Sequence, residues 1–362
     1  MSSLGDFHSR RRALFAAVLR GSCDGSEPQL ADKEFWHQAR MEGVAALLWH
    51  KLHPLGVDLP VETVTGVAEM LRLQAVERSQ MRRAAAEMLS ALADAGVEVV
   101  VLRGMALAER LYPRVDLRVQ SDIDLLVSPV AVEAALVVLR SLGFTPVNSW
   151  QPHLLGRGSV LVDLHDEPLG AARIRSWQKL TPMSCETFFD HALAATVADA
   201  PALLIDDVMQ LPWLCFHATK HSFERMVWLW DIALLADKIT ADSRWDEVAL
   251  LVERLRMQRP CYFSLRYVAE QLGADLPADM LARIRPQMDW REQALLHRHL
   301  GHEQIPFLAE RIFARMVPNW RDRIGFWWET VVPRSEVRAQ IAAGGCIHCT
   351  FIRTRLRQLA LA

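Results

Sequence analysis

Lysine is scarce in this 362-residue chain: Lys33, Lys51, Lys179, Lys220 and Lys238 stand against 36 arginines. The imbalance is one of composition and not of charge, because 41 basic residues meet 43 acidic ones and the net charge is −2. A chain this close to neutral has no global field to recruit nucleic acid or an anionic membrane, which leaves only local patches. No run of 18 apolar residues occurs, and segments such as Val97 to Leu102 are too short to span a bilayer. Arg10, Arg11 and Arg12 precede an apolar run that stops at Arg20 with no small-residue cleavage site behind it, unlike a secretory signal. These absences predict a soluble, cytoplasmic protein with no membrane partner. Six cysteines are too few for a disulfide scaffold and predict a reducing compartment. Cys346 and Cys349 form a C-x-x-C pair around His348, but a structural zinc site needs a second pair and a redox motif needs a βαβ setting, so they read as incidental thiols. No repeat period is evident.

The remaining composition, 51% hydrophobic and 23% charged, is that of an ordinary globular protein, and the length allows about two domains of roughly 150 residues. Apolar residues recur at helical spacing from Glu34 to Leu52 and from Val61 to Ala93, the second segment closing at Gly96. The period then changes. Val97 to Leu102 is a β-branched run suited to a buried strand, Gly104 breaks it, and Ala106 to Tyr112 is helical. Ile123 to Val127 reads as a second strand and Pro129 to Leu142 as a helix stopped by Gly143. Thr145 to Trp150 and Ser159 to His165 read as a hairpin around Gly156 and Gly158. Beyond Pro168 the pattern returns to helices: Val208 to His221, Arg225 to Lys238, Trp245 to Arg256 and Cys261 to Leu272. From Glu310 to Ala362 nine arginines face four acids, either a solvated helix face or a surface for a polyanionic partner.

The segment Ser121-Asp122-Ile123-Asp124-Leu125-Leu126-Val127 carries the chemistry. Side chains alternate along a strand, so Asp122 and Asp124 share one face while Ile123, Leu125 and Val127 enter a core on the other. Two neighbouring carboxylates repel unless one is protonated or a cation joins them, and hard oxygen ligands suit Mg²⁺. In Val160-Leu161-Val162-Asp163-Leu164-His165 the same alternation puts Asp163 and His165 on one face. A buried acid needs a partner, and the economical arrangement sets Asp163 beside Asp122 and Asp124. Three carboxylates can hold two metal ions about 3.5 to 4 Å apart, an arrangement for phosphoryl or nucleotidyl transfer. Taken alone, D-x-D at a strand entrance would mark only a turn.

Leu102-Arg103-Gly104-Met105-Ala106-Leu107, Leu111-Tyr112-Pro113, Arg118, Asp122-Ile123-Asp124-Leu125-Leu126-Val127 and Val162-Asp163-Leu164-His165 together resemble the polymerase-beta-type nucleotidyltransferases, and within them the bacterial branch of uncharacterised nucleotidyltransferases. The resemblance is dense from about residue 70 to 240. It implies an α+β fold: a small mixed sheet bearing three metal-binding acids, embedded in a largely helical protein that completes the cleft. It implies that Asp122 and Asp124 bind both Mg²⁺ ions, that Asp163 binds one and helps deprotonate the acceptor, and that Gly104 lies against the triphosphate. The usual pattern has a Gly-Ser pair a short turn before D-x-D. Here Met105 follows Gly104, which lies 18 positions before Asp122, so no hydroxyl stands at the expected phosphate ligand, although Ser121 could partly substitute. Arg103 and Arg118 flank the site, either neutralising phosphate or forming structural ion pairs.

Leu214-Cys215-Phe216-His217-Ala218-Thr219-Lys220-His221 precedes Trp228-Leu229-Trp230-Asp231. His217 and His221 share a helix face as in zinc proteases, but Ala218 stands where H-E-x-x-H has its glutamate, so a packed pair or a cleft lining competes with zinc. The resemblance implies that His217 and Lys220 face the cleft, where a lysine would offset triphosphate charge. Asp231 either orients a neighbour or is a surface acid, and Trp213, Trp228 and Trp230 either stack on a base or belong to the core.

The expectation is therefore a nucleotidyltransferase with two Mg²⁺ ions, for which Mn²⁺ can substitute. It would move a nucleoside monophosphate from an NTP, ATP first among them, to an unidentified small-molecule, peptide or RNA acceptor with release of pyrophosphate. The alternatives are a catalytically inactive nucleotide-binding or regulatory module of the same fold, and a metal-dependent hydrolase. Catalytic and metal-binding roles fall to Asp122, Asp124 and Asp163, and nucleotide binding to Arg103, Gly104, Arg118, Ser121, His217 and Lys220. The expected divisions are a helical region over 1–95, a catalytic core over 96–180, a helical domain over 181–290 and an Arg-rich helical segment over 291–362. Oligomeric state is not legible.

Overall fold

The computed structural model describes residues 2–148, 151–170 and 175–332. Trp150, Cys346, Cys349 and the Arg-rich stretch beyond 332 lie outside them. Among the described residues the fold is mixed α+β, with fifteen α-helices and one seven-stranded mixed sheet.

The chain opens with α1 (Ser2–Leu19), α2 (Lys33–Met41), α3 (Ala45–Leu52) and the long α4 (Val61–Asp94). The periodic stretch from Glu34 to Leu52 is two helices because Gly43, at φ +76°, turns the chain between them. Gly96, at φ +71°, ends α4: its amide donates to the Ala93 carbonyl and that of Val97 to Leu92, so the chain leaves the helix with its last carbonyls satisfied. The core follows as β1 (Val100–Leu102), α5 (Gly104–Leu111), β2 (Ile123–Leu126), α6 (Val132–Ser141), β3 (Thr145–Asn148), β4 (Gln151–Arg157) and β5 (Val160–His165). Then come α7 (Cys185–Asp190), β6 (Ala192–Val197) and β7 (Ala200–Ile205). The remainder is helical: α8 (Asp207–Lys220), α9 (Met226–Ala241), α10 (Trp245–Arg254), α11 (Gln258–Leu272), α12 (Ala278–Arg283), α13 (Trp290–Leu300), α14 (Leu308–Ala314) and α15 (Trp320–Val331). No helix among the described residues is long and apolar enough to cross a membrane.

The strand order is β3-β4-β5-β2-β1-β7-β6, with β2 parallel to β5, β1 parallel to β7 and the other pairs antiparallel. Two expectations need correcting. Thr145 onward does not pair with Ser159–His165: β4 lies between them, and the hairpin around Gly158 joins β4 to β5. The chain beyond Pro168 is also not helical throughout, because β6 and β7 extend the sheet past β1. Their two-residue turn is Ala198-Asp199, both with positive φ (52° and 67°), a conformation usually announced by Asn-Gly or Asp-Gly. With Ala and Asp there, and alanine-rich strands around it, the hairpin has no local sequence signal.

Alternation divides the sheet's side chains between two cores. Val99, Val101, Ile123, Leu125, Val162 and Leu164 pack with Met88, Leu89 and Leu92 of α4 and with Leu136 and Leu139 of α6. Val100, Leu102 and Leu126 point the other way, into the core shared with α8, α9 and α11. The even positions of β2 and odd positions of β5 thus face the helical half, and these carry Asp124, Asp163 and His165.

Candidate active site

Asp124 and Asp163 are register partners on the parallel strands β2 and β5, two side chains of the same sheet face brought level by the ladder. His165 stands one same-face position further along β5, with Nε2 3.1 Å from Asp124 Oδ1 and 3.4 Å from Asp163 Oδ2. One ligand atom from each of Asp124, Asp163 and His165 lies within 4.8 Å of the others, the metal-compatible group found among the described residues. Two carboxylates in register with an imidazole beside them fit a divalent cation: the oxygens suit a hard ion, and the cation would relieve their mutual repulsion. Strand alternation places His165 on this face but does not announce its closeness to both carboxylates.

Asp122 lies one residue before β2, outside that three-residue group. It accepts a hydrogen bond from Ser121 Oγ (3.1 Å). Burial, reinforced by the Asp124 charge, raises its pKa. Asp124, 6% exposed, shows the opposite balance. Burial pushes its pKa up, but the Arg103 guanidinium and the His165 ring overcome that and hold it at about 2. One carboxylate of the pair is kept ionised while its neighbour is held nearer protonation.

Arg103 ends β1 with φ 49° and ψ −138°, a backbone region that an L side chain occupies only under strain. Its side chain anchors that conformation. The guanidinium pairs with Asp124, its Nη1 lies 2.6 Å from His217 Nδ1, and its plane sits over Trp213 at 5.2 Å. Its Nε is buried with no hydrogen-bond partner. At Gly104 a Cβ would meet Gln120 Oε1, the far end of a flexible side chain, at 2.6 Å, so Gln120 is the group lying against the glycine expected at the triphosphate.

His217 is buried on α8, and burial, aided by the Arg103 charge, drives its pKa well below the usual imidazole value, so it is neutral at pH 7. Its ring lies 4.7 Å from His221 and 4.9 Å from Trp228, and His221 lies 5.1 Å from Trp228. The histidine pair is thus a packed cluster roofed by α9, beside Arg103. Lys220 turns toward the loop after β5, donating to the Leu169 carbonyl (3.2 Å) and lying over Trp177 at 5.0 Å. Trp213 is buried against Phe188, while Trp230 lies beneath Lys51.

Of the two roles open to Arg118 from sequence, the structure shows an ion pair. Arg118 is 5% exposed and holds the fully buried Asp231 through Nε (3.2 Å) and Nη2 (2.7 Å). The structure therefore gathers Asp124, Asp163, Arg103 and His217 around one point with Asp122 and Ser121 at its edge, and sets Arg118 and Lys220 in other contacts. Asp231 is not a surface acid: it is fully buried and accepts from Tyr112 and Arg118.

A mixed sheet with paired acids on the face toward a helical half is the architecture of a nucleotidyltransferase-type core, and the sequence agrees. The family model of uncharacterised nucleotidyltransferases matches residues 28–273, more than half of the chain, and the protein belongs to that family. No curated protein and no solved structure matches the chain.

Proposed function

We propose that the protein transfers a nucleoside monophosphate from an NTP to an acceptor nucleophile, with Mg²⁺ or Mn²⁺ held by Asp124 and Asp163, His165 beside them and Asp122 at the edge. The observation that carries this reading is the in-register Asp124–Asp163 pair on the face that looks toward α8. Bound there, a divalent cation would supply charge neutralisation at the phosphates and lower the pKa of the attacking hydroxyl. The rest falls to the chain. Asp163, half-exposed at the mouth, accepts the proton of an acceptor hydroxyl as its oxygen bonds to the α-phosphorus. The bond from the α-phosphorus to the bridging oxygen breaks, and pyrophosphate leaves with that electron pair. Arg103 lies where its guanidinium can turn from Asp124 to a phosphate oxygen, and the neutral His217 supports it without adding charge. Family membership supports nucleotidyl transfer as the class of reaction; ATP as donor and the acceptor's identity are part of the proposal.

The test is pyrophosphate release from each of the four ribonucleoside triphosphates with Mg²⁺ or Mn²⁺ and a cell extract as acceptor source, parent against Asp124→Asn. Release from the parent that the substitution abolishes establishes the reaction class; equal release from both overturns it. The second reading, a nucleotide-binding module without catalysis, is favoured by Met105 standing where the usual pattern has a hydroxyl. Calorimetric NTP binding without pyrophosphate release from any triphosphate would select it.

A further inference from the structure

The loop that delivers Asp122 and Asp124 has no regular structure of its own between the short 3₁₀ turn Val115–Leu117 and β2. What fixes it lies 113 positions away in sequence. Asp231, on α9 and with no solvent exposure, receives three hydrogen bonds on its two oxygens. Tyr112 Oη donates to Oδ1 (2.6 Å), Arg118 Nε to Oδ1 (3.2 Å) and Arg118 Nη2 to Oδ2 (2.7 Å). Arg118 Nη1 donates to the carbonyl of Val119 (2.8 Å), and the carbonyl of Arg118 accepts from Arg78 on α4. Every nitrogen of the Arg118 guanidinium is thus engaged, and Asp231 ties both the end of α5, through Tyr112, and the head of the loop, through Arg118, to α9. Gln120, the next residue but one, is wedged against Gly104 and donates to Met81 Sδ (3.3 Å). Three residues before Asp231 on the same helix, Trp228 packs on His217 and His221.

We propose that Asp231 is a positioning residue for the acidic site: by clamping Arg118 and Tyr112 it sets the path of residues 118–121 and so the placement of Asp122 and Asp124 against Asp163. Arg118 acts in this clamp and not as a phosphate ligand. The importance of that placement rests on the metal-dependent reading above; the clamp itself does not. A buried guanidinium is costly without its counter-ion, so the pair has a structural effect wherever it sits. The distinguishing claim is that this effect is concentrated on the loop and reaches metal binding.

The experiment measures amide exchange over residues 118–124 by mass spectrometry, Mn²⁺ affinity by the loss of the free-ion EPR signal, and the melting temperature. It compares the parent with Asp231→Asn, Tyr112→Phe and a control, Glu292→Gln. Glu292 is a fully buried acid paired with Arg259 (2.8 Å) and Arg315 (3.3 Å), away from the site, so its substitution removes a buried charge without touching the loop. The clamp predicts exchange over 118–124 about tenfold faster and Mn²⁺ affinity about tenfold weaker in Asp231→Asn. Smaller changes in the same direction are expected in Tyr112→Phe, and none in either readout for Glu292→Gln. Tyr112→Phe keeps the ion pair and so serves even where Asp231→Asn does not fold. Exchange unchanged in both clamp variants, or raised equally by Glu292→Gln, overturns the proposal. Faster exchange together with unaltered Mn²⁺ affinity overturns the claim that the clamp positions the metal ligands. A parent that binds no Mn²⁺, with the exchange effect intact, refutes the metal reading and leaves the clamp supported as the loop's anchor.

Discussion

Removing Arg103 should strengthen metal binding by the protein alone, the reverse of what loss of an active-site residue usually does. Asp124 is shared between the Arg103 guanidinium and the His165 ring, and the two together bring its pKa from 3.8 to about 2 against the burial that raises it. At about 1.4 kcal/mol per pKa unit, that is about 2 kcal/mol of preference for the ionised carboxylate, with the Arg103 charge the largest single cause of the lowering. A divalent cation on Asp124 meets the same guanidinium as a like charge. Like charges held at such close range repel by at least about 1 kcal/mol even with the screening of water. Arg103→Met keeps the length and the packing on Trp213 while deleting the charge. Mn²⁺ affinity measured calorimetrically without nucleotide should therefore rise about tenfold, and affinity for an NTP analogue with a non-hydrolysable α–β bridge should fall by a similar factor. The same variant changes acid stability in a fixed direction. A carboxylate whose folded pKa lies below its unfolded value contributes stability above the unfolded value and loses it as pH falls through the folded one, here from about 4 down to about 2. Arg103→Met forfeits that contribution at pH 7, and thermal melts should show it as a drop of a few degrees. Mn²⁺ affinity equal to or below that of the parent would refute the competition between Arg103 and metal.

Asp122 is titrated the opposite way, so its removal should stabilise. Its folded pKa is raised by burial and by Asp124, and the stability it contributes is present below the unfolded pKa and lost as pH rises through the folded value. In EDTA at pH 7, Asp122→Asn should melt about 1 to 3 °C above the parent while losing activity; a lower melting temperature would contradict the electrostatic account. His299 and His302 are buried neutral, their pKa values lowered by burial to about 3 and about 4. Stability from such groups is present above the unfolded value of 6.5 and lost as pH falls toward those values, so the urea midpoint should drop between pH 7 and pH 4. His302→Gln, which retains a partner for the Tyr267 hydroxyl (2.7 Å), should flatten that dependence.

Which parts of the site were readable follows from how far each depends on information local in sequence. The face that carries Asp124, and that shared by Asp163 and His165, follow from the two-residue period of a strand and are legible, whereas Asp122 lies just before β2 and outside their group. The closeness of His165 to Asp124 is not legible, because alternation gives the face but the parallel register gives the level: Asp124 opposite Asp163, Leu126 opposite His165. The β6–β7 hairpin was hidden by a turn built from Ala198 and Asp199. The Arg118–Asp231 pair was hidden by distance along the chain, since nothing local distinguishes an arginine that binds phosphate from one that meets a buried acid on another helix. The end of β1 is the most instructive departure. The family resemblance implies Gly104 as the glycine of a phosphate turn, yet the residue with the glycine-like backbone is Arg103, and Gly104 lies against the Gln120 side chain. A strained arginine persists only where its surroundings over-determine it, and here Asp124, His217 and Trp213 do so. The same contacts that hold the backbone in place put a guanidinium on Asp124. The turn in this chain is therefore coupled to the charge state of the site, which a glycine at that position could not be.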